Sequence, residues 1–146
     1  MKDLIDAIKT FLETDITAGD ITANRVEKGL PKDPQQIPFN KYPYIALGDG
    51  GERTEVNDSN SSQNRFYSVI VVMAVFNTTK ETALDNILDL SNEVKASFEK
   101  EVNRKYDGLV WGVNITPFDW EDNRGLYMGR TVTIEYKKLE DTYFDY

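Results

Sequence analysis

The chain has no cysteine and no histidine among its 146 residues. Without cysteine there is no disulfide framework and no thiolate nucleophile, which fits a reducing compartment. Without histidine, the imidazole-built zinc sites, the Ser-His-Asp triad and the usual general base near neutral pH are excluded. An enzyme here would have to work with carboxylates or lysines. No apolar run approaches the roughly 20 residues of a membrane helix. The opening MKDLIDAIKTFLE has acids among its apolar residues and no small-residue cleavage site, so no secretory signal is expected. We expect a soluble protein made in the cytoplasm.

Hydrophobic residues at 40% and aromatics at 12% argue for a folded core rather than disorder. The length suits one domain, which we place at 1–138, with a short tail at 139–146. The net charge is −8, and three segments account for it: Asp49 to Asp58 carries −3, Asp119 to Arg124 carries −2 and Glu140 to Tyr146 carries −3. The excess acid thus collects in expected loops and in the tail.

The richest stretch is Arg65 to Phe76, RFYSVIVVMAVF, which reads as one strand with two apolar faces. Phe66, Ile70, Val72, Ala74 and Phe76 point one way; Tyr67, Val69, Val71, Met73 and Val75 point the other. Such a strand needs cover on both sides, so one face is expected under helices and the other against further chain or a neighbouring subunit.

Around this strand the pattern is easily divided. Leu4, Ile5, Ile8, Phe11 and Leu12 predict a short amphipathic helix over 3–13. Gly19, Gly29, Pro31, Pro34 and Pro38 mark an extended loop over 14–42, in which Asp20 to Val26 could hold a turn or strand. Pro43 to Gly48 reads as a short strand. The Gly-, Ser-, Asn- and Asp-rich segment Asp49 to Asn64 reads as a projecting loop, mobile alone. Thr78 with Glu81 has capping-box spacing and opens a helix that ends near Lys105. Leu109 to Phe118 and Leu126 to Lys138 alternate as a hairpin joined by a turn at Asp122 to Gly125. In the last strand Leu126, Met128, Arg130, Val132, Ile134 and Tyr136 share the core face, opposite a wet one. The fold class expected is therefore α+β: a mixed, mainly antiparallel β-sheet of about four strands with two amphipathic helices packed on one face, in the order α-β-β-α-β-β.

Several constellations have both a chemical and a plain reading. The GDGG of Gly48 to Gly51 follows a strand but lacks the phosphate-loop pattern, so a plain turn is expected. Asp49, Glu52, Glu55 and Asp58 lack EF-hand spacing and read as a solvated loop. Asp119, Glu121 and Asp122 could do carboxylate acid–base work, or simply form a charged turn. Trp111 and Trp120 read as core or interface anchors. Arg65 and Arg130 sit among apolar neighbours and want carboxylates, either within the chain at the sheet edge or on the next copy. The tail DTYFDY is either a frayed end or an arm.

Taken in order, the helix Leu4 to Leu12, the Tyr42-Pro43-Tyr44-Ile45 strand entry and the polar loop precede the Arg65-x-Tyr67-x-Val69-x-Val71 strand. The helix Thr79 to Lys100 and the hairpin ending in Arg130-x-Val132-x-Ile134-x-Tyr136 follow it. This layout resembles the tail terminator, or tail completion, proteins of long-tailed bacteriophages and similar small neck-region proteins that join head to tail. The resemblance implies a homo-oligomeric, hexameric ring that caps the tail tube, stops its polymerisation and meets the head–tail connector protein. Its partners would be the tail tube protein and that connector, in the virion neck, with no catalysis, cofactor or metal. DNA must pass such a ring, and lumenal carboxylates would repel its phosphates.

The candidate interface or lumen residues are Asp49, Glu52, Arg53, Glu55, Asp58, Arg65, Tyr67, Trp120, Arg130, Tyr143, Phe144 and Tyr146. Competing expectations are a head completion protein of the neck, an acidic DNA mimic that inhibits a nucleic-acid enzyme, and a hydrolase or transferase built on Asp119, Glu121 and Asp122.

Overall fold

A computed structural model describes residues 1–31, 41–56 and 62–141. The first helix, α1 (Lys2–Ala18), buries Leu4, Ile8, Phe11 and Leu12 on one stripe, as their spacing predicts. It runs past the expected end at 13, where Asp15 extends the buried stripe and the threonine hydroxyls are accommodated by bonds back to helix carbonyls. The hydroxyls of Thr10, Thr14 and Thr17 donate to the carbonyls of Asp6, Thr10 and Glu13 at 2.9, 2.9 and 3.0 Å. Gly19, at φ 87°, stops it: its N–H and that of Asp20 take the carbonyls of Ile16 and Asp15.

The segment expected to be loop as far as 42 contains a strand, β1 (Arg25–Lys28), paired in parallel with Tyr44–Leu47 at the start of β2 (Tyr44–Val56). The order is therefore α-β-β-β-α-β-β with five strands rather than four. β1 overlaps the end of Asp20 to Val26, where the sequence allows a turn or strand, and runs on to Lys28 with one buried side chain, Val26. The other strands are β3 (Ser62–Asn77), β4 (Gly108–Glu121) and β5 (Leu126–Asp141), in the sheet order β1-β2-β3-β5-β4. All pairs but β1–β2 are antiparallel.

Central strand β3 has the expected two-sided character. Tyr67, Val69, Val71, Met73 and Val75 join Ile45, Leu47, Val132, Ile134 and Tyr136 beneath α1 and α2 (Lys80–Glu99). On the opposite face Val72 and Ala74 are buried with Tyr42, Tyr44, Ala46 and Tyr127, flanked by half-buried Ile70, Phe76, Phe118 and Trp120. The second face is thus covered in part within the chain: large rings of neighbouring residues close over Val72 and Ala74, while Phe66, Ile70 and Phe76 stay half-buried. The face of β5 expected to be wet accordingly buries Tyr127.

The capping box does not form. Thr79, not Thr78, is the N-cap, and it makes no side-chain cap bond. Its own N–H instead donates to Asn77 Oδ1 at 3.0 Å, an Asx turn that ends β3 and starts the helix together. α2 ends at Glu99, short of Lys105, and a single 3-10 turn over Glu101–Asn103 leads towards β4. The turn at Asp122 to Gly125 is as expected, with Asp122 Oδ1 accepting the N–H groups of Arg124 and Gly125 at 2.8 and 3.2 Å.

Candidate interaction surfaces

The largest departure from expectation lies at Asp49 to Asn64. Asp49–Val56 continues β2, paired with β3 back to Gln63, and β5 pairs with β3 as far as Asp141 opposite Ser62. A three-stranded arm replaces the projecting loop, and Leu139–Asp141 of the expected tail belongs to it. GDGG is not a turn but a bulge: the register slips between Asp49 and Gly51, Gly51 sits at φ 100°, and Asp49 Oδ1 accepts its N–H at 2.7 Å. Every residue from Asp49 to Val56 is exposed.

Arg53 holds this arm together. Its guanidinium lies 3.9 Å from the centroid of the Phe66 ring, bonds Glu135 Oε1 at 3.1 Å and pairs with Glu55. Loss of hydration works against its charge, but the bonds to Glu55 and Glu135 outweigh that and raise its pKa. Glu52 lies 3.7 Å from the N-terminal ammonium of Met1. Glu52 and Glu55 thus have cationic partners within the chain, whereas Asp49 accepts only the Gly51 N–H and keeps its charge uncompensated among the described residues. Asp58, Tyr143, Phe144 and Tyr146 lie outside the described residues.

The remaining candidates are scattered. Tyr67 is buried, stacked on Tyr106 at 5.3 Å, and offers nothing to a partner. Arg65 sits mid-sheet on β3 between Thr54 and Lys138, not at a sheet edge. Arg130, half-buried on β5 between Met73 and Pro117, makes no ion pair among the described residues, so the intrachain partner expected for it is not found there. Trp120 stacks at 4.8 Å on Tyr127 and at 5.7 Å on Phe118, so its faces are occupied by its own neighbours. Trp111 packs on Phe98 in the helix-side core.

Asp119, Glu121 and Asp122 are all exposed. Asp119 and Glu121 lie at the end of β4, while Asp122 shapes the turn and accepts the Tyr127 hydroxyl at 2.9 Å. Partial desolvation raises the Asp122 pKa, but the backbone donations and that hydroxyl outweigh it and leave the carboxyl below its ordinary value. No group of three or more Asp or Glu among the described residues could hold a metal ion. A cleft of about 210 Å³ between the end of α2 and the start of β4 is lined by Phe98, Glu99, Arg104, Lys105, Tyr106 and Asp107, charges of both signs that converge on no single ligand.

Sequence reasoning missed one buried polar contact. Asp15, 6% exposed, accepts from the Ser97 hydroxyl and from Lys100 Nζ at 2.9 Å, and Lys100 also reaches Asp20 at 3.0 Å. Burial pushes the Asp15 carboxyl up, yet the bonds from Ser97 and Lys100 win and hold it below the usual range. Asp15 lies one turn beyond Phe11, on the buried stripe, and that spacing is its only signal. No protein-family model and no curated protein matches this chain. What it does must therefore be argued from its own surfaces.

Proposed function

We propose that the chain is a structural virion protein, a tail terminator that assembles into a ring on the tail tube, stops its growth and joins it to the head connector. The arm carries this reading. Eight residues of β2, the start of β3 and the end of β5 form a sheet that is solvent-exposed on β2 and has no enclosed site, and a lone subunit has no evident use for it. The order of elements along the chain matches the expected layout only loosely, since β1 is additional and the polar loop is largely strand.

The pairing within the arm makes DNA mimicry a poorer account, because Arg53 bonds Glu55 and Glu135 and offsets one of the two charges a mimic would need to display. The same pairing tempers the acidic lumen: the ring would present a mixed surface to DNA, held but not adhesive. A place one layer higher, as a head completion protein, shares every structural argument and differs only in partner. Co-purification decides: tagged chain should recover tail tubes from lysates of assembling particles. Recovery of head connectors without tubes would move the protein up one layer, and recovery of neither would end the proposal.

A further inference from the structure

β4 is an edge strand whose protection comes from a bulge between Val110 and Asn114 and from Pro117, and not from charge, so Gly108 to Val110 ahead of the bulge is its open part. From Gly108 to Phe118 it contains no charged residue, in a chain that is 29% charged, and Val110, Val113 and Ile115 are 56%, 53% and 43% exposed. Natural sheets normally place charge on such an edge, because its free N–H and C=O groups recruit another strand. The opposite side of the sheet has a second free edge: β1 pairs with β2 only over Tyr44–Leu47, and Asp49–Val56 has no outer partner among the described residues.

The two edges fit each other in direction and in height. β2 and β5 run the same way and β4 runs against them, so β4 of one copy beside β2 of the next continues the antiparallel alternation. Across the sheet Gly108, Leu109 and Val110 lie level with Arg53, Glu52 and Gly51, through Lys137–Phe66, Tyr136–Tyr67 and Glu135–Ser68. Both edges also bulge at one row, that of Val69 and Ile134, so both bend at the same level.

We infer that the β4 edge at Gly108 to Val110 takes the free β2 edge of a second copy of this chain, making one sheet continuous from subunit to subunit. Charge favours this pairing over the symmetric ones. Two β2 edges would set Asp49, Glu52 and Glu55 against one another, whereas the uncharged β4 edge accepts them without repulsion between two chains of net charge −8. Because the edges differ, the contact is heterologous and propagates head to tail, closing into a ring when the rotation allows. The inference rests on the ring reading for its choice of a second copy over another partner.

The chain contains no cysteine, so engineered disulfides report the contact cleanly. Gly108 is level with Arg53 and on the same sheet face, and between directly opposed residues of paired strands the Cα separation suits a disulfide. Oxidised Gly108→Cys/Arg53→Cys protein should give a ladder of covalent multimers, while each single variant stays monomeric on a denaturing gel. A covalent dimer from Gly108→Cys alone, or no ladder from the double variant, would overturn the inference. Native mass on the same samples separates the two levels: multimers without cross-links leave the ring reading intact and remove this edge. As a second arm, Val110→Lys at its exposed position should melt as the parent does and associate at least tenfold more weakly. Unchanged association would contradict the proposal.

Discussion

Lys100 Nζ lies 2.9 Å from Asp15 Oδ1, a contact between residues 85 apart in sequence that ties the end of α2 to the last turn of α1. With the Ser97 hydroxyl on the second oxygen, the carboxylate is satisfied on both sides although nearly buried. Asp15→Ala should cost roughly 1.5–3 kcal/mol, the range for hydrogen bonds to a charged group, read as a lower urea midpoint. A loss within error of zero would show that the contact is incidental.

The same carboxyl sets part of the acid stability. Its folded pKa lies below its unfolded value, so its contribution is fully present above the unfolded value and is lost as pH falls through the lowered folded one. Asp15→Asn should therefore lose less stability between pH 7 and pH 3 than the parent, compared by urea midpoints at each pH. Equal losses in the two proteins would assign the acid sensitivity to other groups.

Among the described residues the buried Tyr136 hydroxyl has no hydrogen-bond partner, and burial pushes its pKa far up. A buried unpartnered hydroxyl is a net cost, so Tyr136→Phe should raise stability by about 1 kcal/mol. Destabilisation of similar size would mean that the hydroxyl is hydrogen-bonded in solution.

Two glycines test the sheet geometry for different reasons. At Gly129 an added Cβ would run into Phe118 Cζ and meet the Met73 carbonyl oxygen at 2.7 Å. Gly129→Ala should cost about 1–3 kcal/mol by overpacking, and Phe118→Leu should restore only part of it because the Met73 backbone cannot give way. At Gly51 nothing lies within 4 Å, so Gly51→Ala is opposed by φ 100° alone, at about 1–2 kcal/mol. Gly108→Ala, with its nearest neighbour at 3.9 Å, is the neutral control. Thermal melts of the three variants in that order would check the bulge directly.

The sequence announced the parts of this fold whose signal is local and periodic. The two faces of β3 and the core face of β5 were legible residue by residue, because period-2 alternation fixes which side chains share a face. The arm was not, since its Gly-, Ser- and Asn-rich composition reads as loop and only pairing with distant residues, such as Arg53 over Phe66 and against Glu135, makes it strand. β1 was legible in part, since the sequence allows a turn or strand over Asp20 to Val26, but its extent to Lys28 is set by parallel pairing with distant Tyr44–Leu47. Of the candidate residues, Tyr67 turned out to be core and Trp120 self-stacked. The exposed, uncharged edge of β4 was present in the alternation but carried no meaning until the sheet order put it outermost.

Tail length is the most direct test of the central claim. Particles assembled without this chain should carry tail tubes of unregulated, extended length, and restoring the chain should return a single length with a ring of density at the head-proximal end in electron micrographs. Tails of one unchanged length in its absence would contradict the assignment.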